Sequence, residues 1–357
     1  MNQMKLKLVP SEDGSSVFVR GGRRLSRIPL AEGTDALGIM LVNYELASLA
    51  RLVHRGYVSR MEVESADLLS HRSEIQELSH TIGSAALERA FARDIAREAN
   101  RIAAPLRDSP SRETDRSRQE SRASGSPVAT MRAMLAAIKD HRRTAVEGTA
   151  TLLKAVDPEL LRRVDVLVRR DASGSALQRF RRLVVRYAGR WEIPEYLALV
   201  ILELVNNLQV QTMRNVARRS GMSDEKLRTL YQSTEIRDQI TSMMERQGEA
   251  SAIGWGFSTK QGAGARTTEL TVTLSGAGAP MRAFSSEVAH QREIEIGERS
   301  LEEFYNEIGD SIFNIDLGLY YLSYLDDLCH KTGMRFSTQV REVGYENRMV
   351  VTLRIEL

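Results

Sequence analysis

The sequence predicts a protein of the α+β class, in which strands near both ends of the chain flank long helical segments. Three observations lead to this prediction. Residues 5–19 alternate apolar and polar side chains around a turn sequence, as paired strands do. Residues 37–104 and 129–190 repeat their apolar side chains at helical spacing. Alternation returns in residues 334–357, which predicts an antiparallel pair of strands at the C-terminus.

The N-terminal part is expected to combine a small β-hairpin with helices. The predicted hairpin pairs residues 5–9 with residues 16–19 across the turn sequence at 11–14. Further on, apolar side chains recur every seven residues, which is typical of a helical hairpin or a short coiled coil. This stripe can form a dimer interface or pack within one chain, and it consists of Leu68, Ile75, Leu78, Ile82 and Ala85.

The composition is typical of a soluble, folded protein, and the lack of targeting and membrane segments makes the cytoplasm the expected compartment. Its 50 Lys and Arg residues are nearly matched by 47 Asp and Glu residues, so the net charge of +3 does not indicate a nucleic-acid partner. No signal-peptide pattern and no apolar run of about 18 residues is present, so no membrane span is expected. The lone Cys329 excludes an internal disulfide and a cysteine-based zinc site.

A polar segment divides the chain into predicted domains. Residues 107–127 contain no aliphatic side chain larger than that of alanine, so they cannot offset their ordering entropy by burial, and a flexible linker is predicted over 107–128. We therefore predict a hairpin and helical domain over 1–106, a helical stalk or bundle over 129–190 and a further domain over 191–357. Nine arginines between 160 and 190 could form a phosphate-binding face, but the lack of interleaved aromatic residues favours a solvated surface.

The first candidate site lies in a helix that is apolar nearly all round. The run over 196–210 follows Pro194, which suits a first helical turn, and its composition predicts a buried helix. Glu203 and Asn207 are four residues apart, so they share one face and could share a metal ion or a water. Buried carboxylates and amides are costly unless paired, and they cluster at functional sites. In the structural alternative, Asn207 bridges neighbouring backbone and Glu203 pairs with an arginine.

Two glycine-containing segments follow this helix. Strands are predicted over 252–258 and 269–274, with a hairpin turn at 260–265 between them. The second strand runs into a loop that contains Gly276 and Gly278. Glycines at such a position allow the backbone to approach a ligand closely. Residues 314–325 then read as a turn that leads into a helix, with Gly318 at the turn.

The order of these elements over about 191–357 resembles the GHKL superfamily, the ATP-binding fold shared by sensor histidine kinases, Hsp90 and gyrase. The resemblance implies an α/β sandwich of the histidine-kinase ATPase type. Glu203-Leu-Val-Asn-Asn207 matches the Glu-x-x-x-Asn signature of the family, which implies that Asn207 holds a magnesium ion and that Glu203 polarises a water. Gly276, Gly278 and Gly318 match glycines of the two nucleotide-contacting motifs, so ATP and Mg²⁺ are the implied cofactors.

The sequence also departs from the family at two positions. Leu274 replaces the aspartate that accepts a hydrogen bond from adenine, and an apolar side chain cannot select that base. Asp316 stands where the family has a glycine near the phosphates, and its carboxylate would repel them. The long spacing between the first two motifs predicts an inserted or extended helical piece over 220–248.

A histidine-kinase-like enzyme would also need a phosphoacceptor. His80 follows a serine, as the acceptor of the family does, and lies outside the apolar stripe. His141 lies on the helix that leads toward the ATP-binding domain, although the acidic and proline residues that surround the family's acceptor are missing. A surface or packing role is the alternative for both histidines.

Two functions remain compatible with the sequence. In the first, the chain is a signal-transduction protein that binds ATP and magnesium through Glu203 and Asn207 and transfers a phosphoryl group to His141, His80 or a partner. In the second, it is a non-catalytic pseudoenzyme, which uses the degenerate ATPase fold as a dimerisation or docking platform for a regulatory protein. Leu274 and Asp316 favour the second function, whereas the retained site residues favour the first. A homodimer through the helical region is an expected partner arrangement.

Overall fold

A computed structural model gives the structure of most of the chain. It describes residues 4–11, 16–21, 24–29, 37–40, 46–107, 143–171, 173–223, 233–262, 265–277, 317–343 and 348–357. The described residues form an α+β protein, as the sequence predicts. Residues 108–128 of the predicted linker and the candidate residues His141 and Gly278 lie outside these ranges.

Nine strands are described, and they occur near both ends of the chain and in its second half. They are β1 (Lys5–Pro10), β2 (Ser16–Gly21), β3 (Arg24–Pro29), β4 (Leu37–Met40), β5 (Val58–Ser65), β6 (Ser251–Gly262), β7 (Ala265–Ala277), β8 (Arg335–Val343) and β9 (Arg348–Glu356).

Eight α-helices and one short 3₁₀ turn, Leu68–His71, are described. The helices are α1 (Leu46–His54), α2 (Arg72–Arg107), α3 (Arg143–Ala155), α4 (Pro158–Arg170), α5 (Ser175–Ala188), α6 (Ile193–Arg219), α7 (Thr234–Gln247) and α8 (Leu317–Lys331).

Seven of the strands form one sheet with the order β4-β1-β5-β6-β7-β9-β8, and every described pairing in it is antiparallel. Strands β6 and β7 pair from Ser275 opposite Ala252 to Ala265 opposite Gly262, which confirms the predicted hairpin. The predicted C-terminal pair is also present as β8 and β9. Burial alternates along β9, because successive side chains of a strand point to opposite faces of the sheet.

The predicted N-terminal hairpin is wrong in its pairing. Strands form at both predicted positions, but β1 pairs with β4 and β5, whereas β2 pairs with β3 in a separate two-stranded sheet. Leu6 and Leu8 of β1 lie opposite Val63 and Met61 of β5, and all four side chains are buried. Alternation identifies a strand but not its partner, and the distant partner buries apolar surface that a local hairpin would leave exposed.

The helical prediction over 37–104 is wrong for part of its length. β4 and β5 lie within that range, and among its described residues the helical ones belong to α1, the 3₁₀ turn and α2. β5 has a strand pattern in its own sequence, because Met61 and Val63 alternate with charged residues. The longer helical periodicity on either side concealed this eight-residue segment.

The chain divides into two compact units. One consists of Met1–Gly83 with Ile193–Leu357 and is called the sheet unit here, and the other, Ser84–Glu192, is called the helical unit. The N-terminal strands therefore belong to the same unit as the C-terminal strands. The sheet unit begins its second segment close to residue 191, where a domain boundary is predicted.

Helix α6 is the central helix of the sheet unit. It packs on β6 and β7 and against the 3₁₀ turn, α7 and α8. Its C-terminal half forms an apolar cluster with α7, which consists of Val210, Met213, Val216, Ala217, Ile240 and Met244. α7 lies in the predicted helical piece over 220–248, so that prediction is confirmed over Thr234–Gln247.

In the helical unit, two aspartates organise the chain around α4 and α5. Asp157 caps α4 by accepting a hydrogen bond of 2.7 Å from the backbone N–H of Glu159. Asp171 accepts hydrogen bonds from the backbone N–H groups of Ser173 and Ala176 in the turn before α5. These bonds, above all that from Ala176, lower the pKa of Asp171 to about 2. Asp171 therefore caps the start of α5.

Two surfaces that could have faced a partner or a membrane are covered by the chain itself. The seven-residue stripe that includes Ile75 and Ile82 is buried within one chain, so it packs internally. Among the described residues, one candidate membrane span is found, over Ser175–Arg219, and 67% of its most apolar window is buried. The described chain therefore contains no clear membrane span, since a buried core helix has the same apolar character.

Candidate functional site

The candidate site lies on one stripe of α6. Tyr196, Glu203 and Asn207 are separated by seven and four residues, so their side chains lie on the same face of the helix. Tyr196 contacts Tyr324 of α8, with 4.4 Å between the ring centroids. This stripe therefore lies on the side of α6 where α8 packs, and α8 begins one residue before Gly318.

Glu203 is half-buried and has a cationic neighbour. Its side chain is 22% exposed, and its Oε1 atom lies 3.9 Å from Nη2 of Arg72, the first residue of α2. At this distance the two groups form a loose ion pair without a short hydrogen bond. The arginine partner that the structural alternative predicts for Glu203 is therefore present. Asn207 is also half-buried, and both residues have other polar contacts.

The end of β7 lies directly against α6. A Cβ atom at Gly276 would be 2.6 Å from Oγ1 of Thr212 and 3.0 Å from Cγ of Leu208. The Thr212 hydroxyl donates a hydrogen bond of 3.4 Å to the carbonyl oxygen of Ala277. Gly276 is therefore required by the close approach of the helix to the strand, whether or not a ligand also lies there.

Leu274 belongs to the core of the sheet. It is completely buried and lies between Ile253 of β6 and Val351 of β9 in the strand register. Its position, two residues before Gly276, is the one predicted for the missing adenine-binding aspartate. The apolar side chain is thus well accommodated by packing, and it supplies no hydrogen-bond acceptor.

The remaining predicted residues are only partly placed. Gly318 lies in the first turn of α8, as expected, whereas Gly278, His141 and Asp316 lie outside the residues that the structure describes. His80 is exposed on α2, about 12 Å along the helix axis from Arg72. The structure thus places Glu203 and Asn207 on α6, with the end of β7 packed against the same helix. It places His80 on α2, in the part of that helix that belongs to the sheet unit.

Sequence reasoning missed a buried polar contact beneath the site. Gln209 of α6 is fully buried, and its Nε2 atom donates a hydrogen bond of 2.6 Å to the carbonyl oxygen of Ala66. The next residue, Asp67, is 1% exposed and accepts hydrogen bonds from the backbone N–H groups of Leu69 and Ser70. A glutamine inside an apolar helix was the available signal for this contact. These bonds fix the 3₁₀ turn, and therefore the start of α2 and Arg72, against α6.

The model of a protein family, described as a family of unknown function (DUF8084), matches residues 1–103 and 134–357. The chain belongs to the DUF8084 family. Residues between these two matches include the whole predicted linker. A DUF8084 chain therefore carries both the N-terminal strands and the C-terminal half of the sheet.

One relative is similar over almost its whole length. It is a Treponema pallidum (strain Nichols) protein that carries the name "Uncharacterized protein", and it is 23% identical over 381 residues, which cover 99% of this chain and 97% of the relative. No solved structure matches this chain.

Proposed function

We propose that this DUF8084 chain is a signal-transduction protein whose sheet unit is a divergent histidine-kinase-like ATP-binding domain with weakened nucleotide binding. The observation that carries the proposal is the placement of α6. Its stripe with Glu203 and Asn207 lies on the side where α8 packs, and its other side lies against Gly276 at the end of β7. Three sequence motifs that are far apart in the chain thus belong to elements that pack around one helix.

The order of strands and helices also supports this proposal. Strands β6, β7, β9 and β8 are neighbours in the sheet, and α6 and α8 are in contact with each other. Helices packed on a sheet form the layers that an α/β sandwich requires. The short Glu-x-x-x-Asn match therefore occurs in a suitable structural setting, which makes a chance match less plausible.

Weak rather than tight binding follows from two features of the site. Leu274 cannot accept a hydrogen bond from adenine, so base selection is lost. Glu203 already has Arg72 as an ionic neighbour at 3.9 Å, and a magnesium-bound water would compete with that guanidinium group. Asn207 remains the residue that would hold magnesium, since amide oxygens are suitable ligands for this ion.

A second candidate function is a non-catalytic scaffold. The buried Leu274 and the steric need for Gly276 explain two motif residues by packing alone. Under this alternative the sheet unit keeps its fold because a partner or a second copy binds to it, and Glu203 serves only in the ion pair with Arg72. Binding measurements with nucleotide separate the two functions.

The deciding experiment is a thermal shift of the whole chain with magnesium-ATP. A ligand that binds only the folded state stabilises it, so a Kd of about 1 mM would raise the unfolding free energy by about 1 kcal/mol at about 5 mM nucleotide. For a chain of this length, the expected rise in Tm is about 1.3 °C. We expect Asn207→Ala to remove the rise, and the neighbouring half-buried Asn206 supplies the matched control variant Asn206→Ala.

The absence of any shift, or equal shifts for Asn207→Ala and the unchanged chain, would exclude ATP binding at this site and leave the scaffold. Phosphoryl transfer needs a further measurement. If nucleotide binds, the chain is incubated with labelled ATP and tested for acid-labile label. Loss of label in His141→Ala or in His80→Ala identifies the acceptor, whereas unlabelled protein excludes autophosphorylation.

A further inference from the structure

An open cleft of about 630 Å³ lies within the helical unit, between α2 and α5. Its volume is in the range of small-molecule sites, which is roughly 300–1,000 Å³. The lining differs from that of most such sites, because Leu183 is its only apolar residue and the others are charged. The cleft is distinct from the candidate ATP site, since all its residues belong to the other compact unit.

Two rows of arginines face this cleft. Arg97 and Arg101 of α2 are four residues apart, and Arg179, Arg182 and Arg186 of α5 are three and four residues apart. Both spacings place the side chains on one face of their helix. Five guanidinium groups therefore meet only two carboxylates, those of Asp94 and Glu98, which leaves three positive charges in excess.

The two carboxylates hold part of this array in position. Glu98 joins the helices, because its Oε1 lies 3.3 Å from Nη1 of Arg179 and its Oε2 lies 3.8 Å from Nη1 of Arg101. Asp94 lies 3.5 Å from Arg97 and accepts a hydrogen bond of 2.9 Å from the hydroxyl of Tyr187.

Tyr187 anchors this arrangement to the core of the helical unit. It is fully buried and packs on Phe91, with 5.1 Å between the ring centroids. Burial, together with the neighbouring Asp94, raises the pKa of Tyr187, so its hydroxyl stays protonated and continues to donate. The base of the cleft is therefore fixed before any ligand binds.

Arg182 and Arg186 are the cations that remain for a ligand. Both side chains are exposed at the cleft, and among the described residues neither has a carboxylate within ion-pair distance. Like charges four residues apart on a helix repel each other, so this pair favours a bound anion. Guanidinium groups bind phosphate oxygens through two parallel hydrogen bonds, which makes a phosphate-bearing ligand the best chemical match.

We propose that this cleft binds a small, soluble polyphosphate, whose oxygens are held by Arg182 and Arg186 and by the arginines that Asp94 and Glu98 position. A nucleic acid fits less well, because the lining offers no aromatic side chain for base stacking. A lipid fits less well, because Leu183 alone provides too little apolar surface for acyl chains. Three excess charges match an anion with several adjacent phosphates better than a single phosphate.

The test is isothermal titration calorimetry of the whole chain with sodium tripolyphosphate, in EDTA and about 0.15 M salt, where surface charges are screened. We expect Arg182→Gln/Arg186→Gln to weaken binding by at least tenfold, since each lost charge-assisted contact affects affinity strongly. The matched control is Arg170→Gln/Arg246→Gln, which removes two exposed arginines outside the cleft. It should bind as the unchanged chain does.

Further measurements distinguish a soluble polyphosphate from a lipid or a nucleic acid, and the cleft from the candidate ATP site. Asn207→Ala should leave tripolyphosphate binding unchanged. If this variant lost the binding, the ligand would belong to the sheet unit instead. Vesicles of phosphatidylcholine with phosphatidic acid, and single-stranded DNA, should bind more weakly than tripolyphosphate. The proposal is overturned if the vesicles or the DNA bind more tightly than tripolyphosphate in a way that depends on Arg182 and Arg186. It is also overturned if the control variant weakens tripolyphosphate binding as much as Arg182→Gln/Arg186→Gln does, or if millimolar tripolyphosphate does not bind. The Tm of each variant checks that it is folded, and the single variant Arg186→Gln repeats the test with a smaller change.

Discussion

Glu88 of α2 has the most perturbed carboxyl group among the residues that the structure describes in the helical unit, apart from the capping Asp171. Burial raises its pKa from an ordinary value of 4.5 to about 6. The folded state therefore binds a proton more tightly than the unfolded state between these two pH values. By linkage, the stability associated with Glu88 is fully present below about pH 4.5 and is lost as the pH rises through 6.

The substitution Glu88→Gln removes this dependence. We expect the variant to be more stable than the unchanged chain at pH 7.5 and to match it at pH 4. One pKa unit corresponds to about 1.4 kcal/mol, and solvent screening of the partly exposed carboxyl reduces the gain to about 1 kcal/mol. Urea denaturation at several pH values measures the difference. Glu77→Gln, an exposed position on the same helix, is the control. An equal effect of Glu88→Gln at both pH values would contradict the assigned cause.

Residue types and spacing predicted part of the candidate site. Glu203 and Asn207 share a face because four residues span slightly more than one helical turn, and that relation is local. Arg72 is more than a hundred positions away from Glu203, so no local rule could have identified the ion pair. Gly276 was predicted from a motif, but its immediate physical reason is the distance to Thr212, which depends on how α6 packs on β7.

Among the elements, α3 depends on one very close contact. A Cβ atom at Gly148 would lie 2.1 Å from Cγ of Trp191, far inside the contact distance of two carbon atoms. The indole ring therefore fills the space that any side chain at Gly148 would need. This contact involves rigid ring atoms close to their attachment point, so it cannot be relieved by a small movement of a flexible side chain.

We expect Gly148→Ala to destabilise the helical unit by about 2–3 kcal/mol, because overpacking forces the backbone or the ring to move. The sign is informative, since alanine is favoured over glycine by about 1 kcal/mol in an unconstrained helix. Urea denaturation followed by tryptophan fluorescence measures the effect, with the fully buried Trp255 as the second emitter. The double variant Gly148→Ala/Trp191→Ala should recover part of the loss through a favourable coupling energy. A stabilised single variant would show that α3 does not pack as described.

Helices were easier to predict than short strands. α6 has Pro194 in its first turn and an apolar composition throughout, so its existence followed from the sequence. β5 has only eight residues, and its alternation was hidden by the helical patterns on both sides. Short elements contain few periods, so a neighbouring long pattern easily conceals them.

At the scale of the whole molecule, the central sheet joins both ends of the chain. β5 pairs with β6, and Met61 and Val63 lie opposite Trp255 and Ile253. All four side chains are completely buried. Without β5, the β6 strand would become an exposed edge with unpaired backbone groups, which favours aggregation.

We therefore expect the isolated fragment 191–357 to fail to fold, although sequence motifs made it look like a separate domain. Adding the fragment 1–107 during refolding should restore solubility and a cooperative unfolding transition. Circular dichroism and hydrogen exchange of β6 measure this, with the full chain as the reference. A soluble, cooperatively unfolding 191–357 fragment would show that the sheet unit does not need its N-terminal strands.

The sequence by itself determined the α+β class, the buried helix α6, the β6–β7 hairpin and the C-terminal strand pair, because each depends on periodicity or on turns within a short segment. Only the tertiary structure decided that β1 pairs with β5 rather than β2, that the apolar stripe on α2 is covered within one chain, and that two arginine rows face one cleft. These relations join residues that are distant in sequence. They are decided by the burial and charge balance of the folded chain, which no local pattern records.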